Sequence, residues 1–191
     1  ISDFIAGHIR QVYGLPISRI RIIHRGVDLD KFSPARVSAE RVIQLAAKWG
    51  LDDGAPVVML PGRLTRWKGQ TLLIEAAARL KNREARLLLV GSDQGRVAFR
   101  RELEALSSSL NLDSRVRILD NCNDMPAAYM LTDVAVSASL EPEAFGRVIP
   151  EAQAMGRPVV APAHGAAKET ILRSEEHTSE LQSRFGISYA V

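Results

Sequence analysis

Two short stretches of the sequence place charged side chains and glycine at the ends of apolar runs. The first, 61–70, reads PGRLTRWKGQ: it sets Arg63 and Lys68 at the two ends of one loop, and Gly62 leaves room for a ligand against the backbone. Arginine offers a planar bidentate fork, lysine a mobile point charge, and the helix that follows begins with unpaired N–H groups. These features together are typical of a pyrophosphate site, although two solvated basic residues in a loop would give the same pattern in isolation.

The second stretch, 139–152, contains two carboxylates at a fixed separation. Glu143 is predicted in a loop and Glu151 inside the helix that follows. Eight helical steps would place them up to roughly 12 Å apart, which is too far for a shared proton. An ionised carboxylate can accept hydrogen bonds from both hydroxyls of a diol. The spacing therefore suits one carboxylate on a sugar and the other on the ribose of an extended ligand.

Between these carboxylates, three residues bring backbone amides to the start of a predicted helix. They are Phe145, Gly146 and Arg147. A phosphate or an anionic sugar oxygen is favoured at such a position. Because Pro150 is tolerated only in the first turn of a helix, regular helix should not begin much before Arg147.

The elements that must position these loops alternate along the chain. Apolar, β-branched runs at 57–60, 86–90 and 134–137 are followed by helical patterns at 70–80, 98–110 and 148–155, and 116–119 and 158–162 are further strand candidates. Short apolar strands alternating with amphipathic helices predict a parallel sheet covered on both faces, and hence a doubly wound α/β fold. In such sheets ligands bind at the carboxyl ends of the strands, where both charged loops lie.

The two ends of the chain carry different expectations. Before the first core strand we predict a helix from residue 2 or 3 with no partner in the chain, an extended piece at 20–23, a turn at 25–28 and a helix over 41–49. The chain is thus expected to begin in mid-structure. After residue 172 the periodicity stops, and 173–183 reads RSEEHTSELQS, which resembles a translated sequencing adapter. We predict three parts: the end of an amino-terminal domain and an interdomain segment with its entry helix over 1–54, an incomplete Rossmann-like ligand-binding domain over 55–172, and an adapter-like, non-native tail over 173–191.

Composition excludes several classes of protein. The 191 residues are 46% hydrophobic and 25% charged, which fits an ordinary folded domain. Basic residues are dispersed rather than clustered, so the formal charge of +3 gives weak support to nucleic-acid binding. The lone cysteine, Cys122, rules out an internal disulfide framework and is expected to be a small buried residue. The sequence contains no apolar stretch long enough to span a membrane and no dinucleotide or P-loop fingerprint.

Three segments together resemble glycosyltransferase family 4, whose members are retaining enzymes of GT-B fold. They read GRLTRWKG, EPEAFGRVIPEAQAMGRPVVAP and IIHRGVDLDKF, and the resemblance runs over residues 1–172. It implies transfer of a sugar from a UDP-, GDP- or ADP-sugar to a glycan or lipid-linked acceptor, with no metal and no cofactor. It also implies that an amino-terminal domain completes the cleft and that this chain alone is inactive.

The resemblance assigns roles to matching positions. Arg63 and Lys68 would hold the diphosphate and stabilise the leaving group, and with Glu143, on the sugar hydroxyls, they form the predicted catalytic set. Glu151 would bind the ribose, and the remaining predicted donor-binding residues are Gly62, Phe145, Gly146 and Arg147.

The sequence also departs from the family pattern. His24 stands where proline is usual, and Ala166 where a second glycine after Gly165 is common. The first is expected to alter only a turn, and the second weakens the case for a phosphate contact from that loop. His164 is a candidate ligand contact, but a loop histidine without an identified partner is more often structural or solvated.

Two other functions compete with the transferase. A nicotinamide-dependent oxidoreductase is disfavoured because the glycine fingerprint and its acidic partner are missing. A non-catalytic nucleotide-sugar-binding subunit or sensor stays open, because both signatures concern donor binding alone. Similarity to envelope polysaccharide and lipopolysaccharide enzymes implies a cytoplasmic location, with peripheral association at the inner face of the plasma membrane as a further option.

Overall fold

Five parallel strands form the centre of the structure, a computed structural model that describes residues 1–51 and 54–171. The strands are β1 (Val57–Pro61), β2 (Arg86–Val90), β3 (Val116–Leu119), β4 (Val134–Val136) and β5 (Val159–Val160). Their order in the sheet is β3-β2-β1-β4-β5, and every neighbouring pair is parallel. The chain winds from β1 to one side and then, through β4, to the other. This confirms the predicted doubly wound, Rossmann-like α/β fold.

Helices cover both faces of this sheet. In the described residues the α-helices are α1 (Asp3–Tyr13), α2 (Ala39–Trp49), α3 (Gln70–Arg79), α4 (Val97–Ser109), α5 (Met125–Met130), α6 (Val148–Ala154) and α7 (Ala167–Thr170). Three short 3₁₀ helices lie at Ile17–Arg19, Pro34–Arg36 and Arg66–Lys68. None of the helices in this part of the chain is long and apolar enough to cross a membrane.

The alternation of side chains along the strands divides the core into two layers. Val58 and Leu60 of β1 pack with α3 and α4, in a cluster that includes Ile74 and Leu103. Val57 and Met59 point the other way, into a cluster formed largely by α2, α5 and α6. Because consecutive strand residues face opposite sides, an almost continuous apolar run buries both faces of one strand.

Most of the predicted elements appear within one or two residues of their expected bounds. β2 and β3 match the predicted runs, and α6 begins at Val148 with Pro150 in its first turn, as the proline required. β5 is shorter than the predicted 158–162 strand, and the predicted extended piece at 20–23, where Ile20 has extended backbone angles, does not join the sheet. Helices α5 and α7 are absent from the prediction because six and four residues are too few for a recognisable helical period, and α5 also has a proline in its first turn.

The prediction that the first helix has no partner in the chain is wrong for its amino end. Ser2 and Ala6 are buried, and the Glu169 carboxylate accepts hydrogen bonds from the backbone N–H groups of Asp3 and Phe4 at 2.8 and 2.7 Å. The carboxyl end differs: Tyr13 is 70% exposed. Sequence periodicity identifies an apolar helix face but not the polar groups that cap its end.

The predicted three-part division of the chain stays a prediction. The adapter-like segment 173–191 lies outside the described residues.

Candidate functional site

The loop after β1 is shaped by a left-handed turn at its end. Residues Arg66–Lys68 form a 3₁₀ turn, and Gly69 adopts φ 74° at the start of α3. A Cβ atom at Gly69 would overlap the carbonyl oxygen of Ala138, so only glycine allows the loop to approach the segment after β4 this closely. Gln70 is fully buried and donates to the Arg63 carbonyl oxygen at 2.8 Å, which holds the other end of the loop.

The loop after β4 is joined to the first loop by backbone and side-chain contacts. The Leu140 N–H donates to the Trp67 carbonyl oxygen at 2.7 Å. Lys68 Nζ lies 2.7 Å from Glu143 Oε2, and the two side chains are 13% and 18% exposed. The hydroxyl of Ser139 donates to the other oxygen of the same carboxylate. β1 and β4 are neighbours in the sheet, and this adjacency brings the two charged loops together.

All eight residues predicted to form the site line one cleft of about 1020 Å³ at the carboxyl ends of the strands. They are Gly62, Arg63, Lys68, Glu143, Phe145, Gly146, Arg147 and Glu151. Arg63 and Glu151 therefore open onto a common space rather than onto opposite faces of the molecule. The cleft lies where the winding reverses between β1 and β4, which is the place where doubly wound sheets bind ligands.

The three cations of the first loop have different surroundings. Arg63 is exposed, and its guanidinium has no hydrogen-bond or ion-pair partner among residues 1–51 and 54–171. Arg66 points away from the cleft: it pairs with Glu102 at 2.7 Å and lies over the ring of Phe99. Lys68 is held between Glu143 and the Trp67 ring, 4.4 Å from the ring centroid. Arg63 thus offers an uncompensated cation, whereas a ligand at Lys68 must share the ammonium with Glu143.

Glu151 occupies the inner wall of the cleft, against a buried tyrosine. The Tyr129 hydroxyl donates to Glu151 Oε2 at 3.1 Å, and Tyr129 is completely buried. Burial raises the pKa of Glu151 above its usual range, while the hydrogen bond from Tyr129 and the charges of Arg147 and Lys31 oppose that shift. Burial also raises the pKa of Tyr129, and the nearby Glu151 carboxylate adds to the increase, so Tyr129 remains a hydrogen-bond donor.

The segment between the two carboxylates presents free backbone donors. The N–H groups of Phe145, Gly146 and Arg147 donate to no acceptor in the described part of the chain. Gly146 adopts φ 73°, a conformation that favours glycine, while the Phe145 side chain is buried and anchors the segment. These N–H groups can donate hydrogen bonds to an anionic oxygen of a ligand in the cleft.

The residues that depart from the family pattern lie outside the direct ligand surface. The Ala166 N–H donates to the Glu143 carbonyl oxygen at 3.0 Å, so this amide is already used. His164 does not line the cleft, and His24 is an exposed coil residue.

Cys122 is only half-buried and forms part of the cleft wall, which corrects the expectation of a buried core residue.

Sequence reasoning missed a wall of the cleft formed by the segment before α2. Arg25, Asp28 and Lys31 line the cleft from this side. Asp28 closes a turn by accepting from the N–H groups of Asp30 and Lys31, each at 3.0 Å. Buried Phe32 anchors the segment edge-on against Tyr129, with ring centroids 6.1 Å apart. The signal in the sequence was Asp28 followed four residues later by Phe32: the aspartate closes a turn, and the aromatic ring packs that turn against the core.

The carboxylates of the cleft are not arranged as a metal site. Across the described ranges, 1–51 and 54–171, no three side chains of His, Cys, Asp or Glu are grouped so that they could hold a metal ion.

The fold and the cleft place the chain among Rossmann-like α/β proteins that bind ligands at the strand reversal. The chain belongs to the family described as Glycosyl transferases group 1, which matches residues 55–181.

Individual relatives extend this similarity. The chain is 36% identical over 165 residues to a D-inositol 3-phosphate glycosyltransferase of Xylanimonas cellulosilytica, which covers 85% of this chain and 39% of that protein. Its fold is similar to that of a glycosyltransferase from Rickettsia africae, with a TM-score of 0.86, 36% identity, and coverage of 91% of this chain and 46% of the other. The Anabaena protein HepE, crystallised with UDP and glucose, has a TM-score of 0.81, 31% identity, and coverage of 90% and 46%. The chain spans less than half the length of each of these three proteins.

Proposed function

We propose that this chain is the donor-binding half of a retaining, metal-independent glycosyltransferase of family 4 with the GT-B fold. The observation that carries the proposal is the single cleft in which Arg63, Lys68, Glu143 and Glu151 meet at the reversal between β1 and β4. Its relatives are named as glycosyltransferases, and one of them was crystallised with UDP and glucose. The donor is accordingly a nucleoside-diphosphate sugar.

In this proposal the diphosphate lies against the first loop. Arg63 contributes a guanidinium with no partner in the described residues, and Lys68 an ammonium held in place by Glu143 and Trp67. A departing diphosphate develops negative charge, and fixed cations in a closed cleft stabilise that charge without reorganising. Arg63 and Lys68 are therefore the proposed electrostatic catalysts, and the N–H groups at 145–147 supply further donors toward phosphate or sugar oxygens.

The two carboxylates are proposed to bind opposite ends of the donor. Glu151, beside Tyr129, is proposed to accept from the ribose hydroxyls, and Glu143 from the hydroxyls of the transferred sugar. The Glu143 carboxylate is already oriented by Lys68 and Ser139, so the proposed sugar position lies beside the proposed leaving-group position. This adjacency is what a transfer from a diphosphate requires.

The acceptor is proposed to be a glycan or a lipid-linked sugar, met across the cleft by a separate amino-terminal domain. Closure of two domains around the donor would exclude water and complete the site. We expect the chain alone to bind nucleotide weakly and to transfer no sugar. A role in envelope polysaccharide or lipopolysaccharide synthesis, at the cytoplasmic face of the plasma membrane, rests on the sequence resemblance.

The test begins with the affinity of the 191-residue chain for UDP, GDP and ADP and for the corresponding glucose and mannose conjugates. Saturable binding of one nucleotide, competed by its sugar conjugate, is expected. Transfer of a labelled sugar by a full-length protein that includes this chain, unaffected by EDTA, would establish the metal-independent reaction. Absence of binding to every nucleotide would refute the proposal.

The same assays separate the transferase from a non-catalytic sensor. Donor binding without transfer to any glycan or lipid-linked acceptor by the full-length protein would favour the sensor. The cleft-facing cation of Arg63 suits both functions, because a guanidinium binds a diphosphate in a sensor as it does in an enzyme, so the transfer assay decides between them.

A further inference from the structure

The amino end of α1 is bonded to the second charged loop across most of the length of the chain. Ser2 Oγ donates to the Ala144 carbonyl oxygen at 2.8 Å, although the two residues are 142 positions apart. The next two backbone N–H groups, of Asp3 and Phe4, donate to the two oxygens of Glu169. Three hydrogen bonds thus fasten the start of α1 to the loop 143–147 and to α7.

The loop 143–147 is held from a second side by the same short helix. The N–H of Ala166, directly before α7, donates to the Glu143 carbonyl oxygen at 3.0 Å. The carbonyl oxygen of Ala166 in turn accepts from the Glu169 N–H at 3.0 Å, which links this residue to the first turn of α7. Gly165 packs so closely that a Cβ atom there would lie 2.7 Å from the Glu143 carbonyl oxygen. The consecutive carbonyls of Glu143 and Ala144 are therefore bonded to α7 and α1 respectively, and Glu169 joins these two helices.

The contacts at the start of α1 are either buried or charge-assisted, so they fix the position of α1 relative to the loop 143–147. Ser2 is 2% exposed, and its hydroxyl both donates to Ala144 and accepts from the Ile5 N–H at 3.3 Å, so both functions of the group are used. The Glu169 carboxylate lies at the positive end of the α1 dipole, where a charge-assisted pair of hydrogen bonds is favoured. A shift of α1 would therefore pull on the backbone that carries Glu143.

We infer that Ser2 and Glu169 are positioning residues, which hold the loop 143–147 so that the Glu143 carboxylate stays against Lys68 and the free N–H groups face the cleft. The inference deepens the proposed function and rests on it for the identity of the donor. Its structural content, that α1 orders this loop, can be tested without a ligand.

The first measurement is residue-resolved amide exchange in the 191-residue chain. In Glu169→Ala, the amides of Ala166 and Ile149, which bond to Glu143 and Gly146, are expected to exchange about tenfold faster, while those of β1 and β2 keep their rates. Glu169→Gln keeps one acceptor oxygen and should restore part of the protection. Ser2→Ala should act in the same direction, and Glu75→Ala and Ser18→Ala, on exposed surface, serve as matched controls.

The second measurement compares affinities for UDP-glucose and UMP. Glu169→Ala is expected to weaken UDP-glucose binding about tenfold and to leave UMP binding unchanged, because the proposed donor position brings only the sugar and the second phosphate to the loop 143–147. A purely structural role would lower the melting temperature without this selectivity. If wild-type protein prefers a GDP- or ADP-sugar, that donor and its nucleoside monophosphate replace UDP-glucose and UMP. If it binds none of these donors, the proposed function fails, and the exchange data still decide the inference. Unchanged exchange at Ala166 and Ile149, or equal acceleration throughout β1 and β2, would overturn it.

Discussion

Lys68 Nζ and Glu143 Oε2 lie 2.7 Å apart, although the first residue follows β1 and the second follows β4. Both side chains are largely buried in the floor of the cleft, so neither charge is fully solvated. The pair joins the loop proposed to hold the diphosphate to the loop proposed to hold the sugar. Each charge also compensates the other, so removing one side chain leaves the other as a partly buried charge without its partner.

The pair predicts non-additive effects on stability. Lys68→Ala and Glu143→Ala each leave a partly buried charge without its partner, whereas the double variant leaves neither. In a double-mutant cycle on the free energy of unfolding, we expect a coupling of about 1–3 kcal/mol. Urea denaturation of the four proteins measures it. Additivity would show that solvent already compensates both charges, and the exposed pair Arg66–Glu102 provides a control with coupling below about 1 kcal/mol.

Arg63 and Arg66 form a matched comparison within one loop. Arg63→Ala removes the cation that faces the cleft, whereas Arg66→Ala removes one that faces Glu102 and Phe99. A hydrogen bond to a charged group contributes about 1.5–3 kcal/mol, so Arg63→Ala should weaken UDP binding roughly tenfold to a hundredfold. Calorimetric titration of the 191-residue chain is the measurement. Equal losses in both variants would indicate a general effect of charge, and an unchanged affinity in Arg63→Ala would remove Arg63 from the diphosphate site.

In a full-length enzyme the same substitution is expected to affect turnover more than substrate binding. Loss of a group that stabilises developing charge lowers kcat by about a hundredfold or more. Turnover is measured by transfer of sugar from a labelled donor, and kcat of Arg63→Ala is compared with kcat of Arg66→Ala. Near-normal turnover in Arg63→Ala would contradict its assignment as an electrostatic catalyst.

Glu151 makes the stability of the fold depend on pH in a defined direction. Its pKa is raised in the folded state, so its stabilising contribution is complete below the ordinary carboxyl pKa of about 4.3 and is lost as the pH rises through the folded value. Glu151→Gln cannot ionise, so its stability does not fall in this way as the pH rises. The melting temperature of the variant relative to wild type should therefore increase between about pH 4 and pH 8, as measured by thermal denaturation in a pH series.

Ligand binding should show the opposite pH dependence, because a ribose diol needs the ionised carboxylate as acceptor. UDP affinity is expected to fall as the pH drops through the raised pKa of Glu151, and Glu151→Gln should bind weakly at every pH. Tyr129→Phe removes a hydrogen bond that lowers this pKa, so the fall in affinity should begin at a higher pH. An identical pH profile in Tyr129→Phe would contradict the proposed coupling.

Gly69 is predicted to be intolerant of any side chain. Gly69→Ala would place a methyl group against the Ala138 carbonyl oxygen in a backbone conformation with φ 74°, and we expect a loss of about 2–4 kcal/mol in the free energy of unfolding. Gly7→Ala is the control: no atom lies near its Cβ position and it is in the middle of α1, so it should stabilise by about 0.5–1 kcal/mol. Chemical denaturation distinguishes the two, and comparable effects would show that the contact between the loops is loose.

The sequence predicted the strands, most helices and eight of the residues that line the cleft, because these depend on local patterns. Apolar runs such as 86–90 can be buried on both faces only in a covered parallel sheet, and proline at 150 fixes the start of α6. Parallel strands carry their following loops to one edge, so Arg63 and Glu151 were expected to meet. Helices α5 and α7 were not foreseen because they are too short to show a helical period. The cleft wall at 25–32 and the half-buried Cys122 were not foreseen because their positions depend on contacts distant in sequence.

The sequence by itself determined which residues are charged, which turns need glycine and which segments bury apolar faces. Only the tertiary structure decided that Lys68 pairs with Glu143, that Arg66 turns away while Arg63 does not, and that Ser2 reaches Ala144. The physical reason is range: helical and strand periods are set by neighbours a few residues apart, whereas side-chain partners are chosen by the strand order, which brings residues more than 70 positions apart into contact.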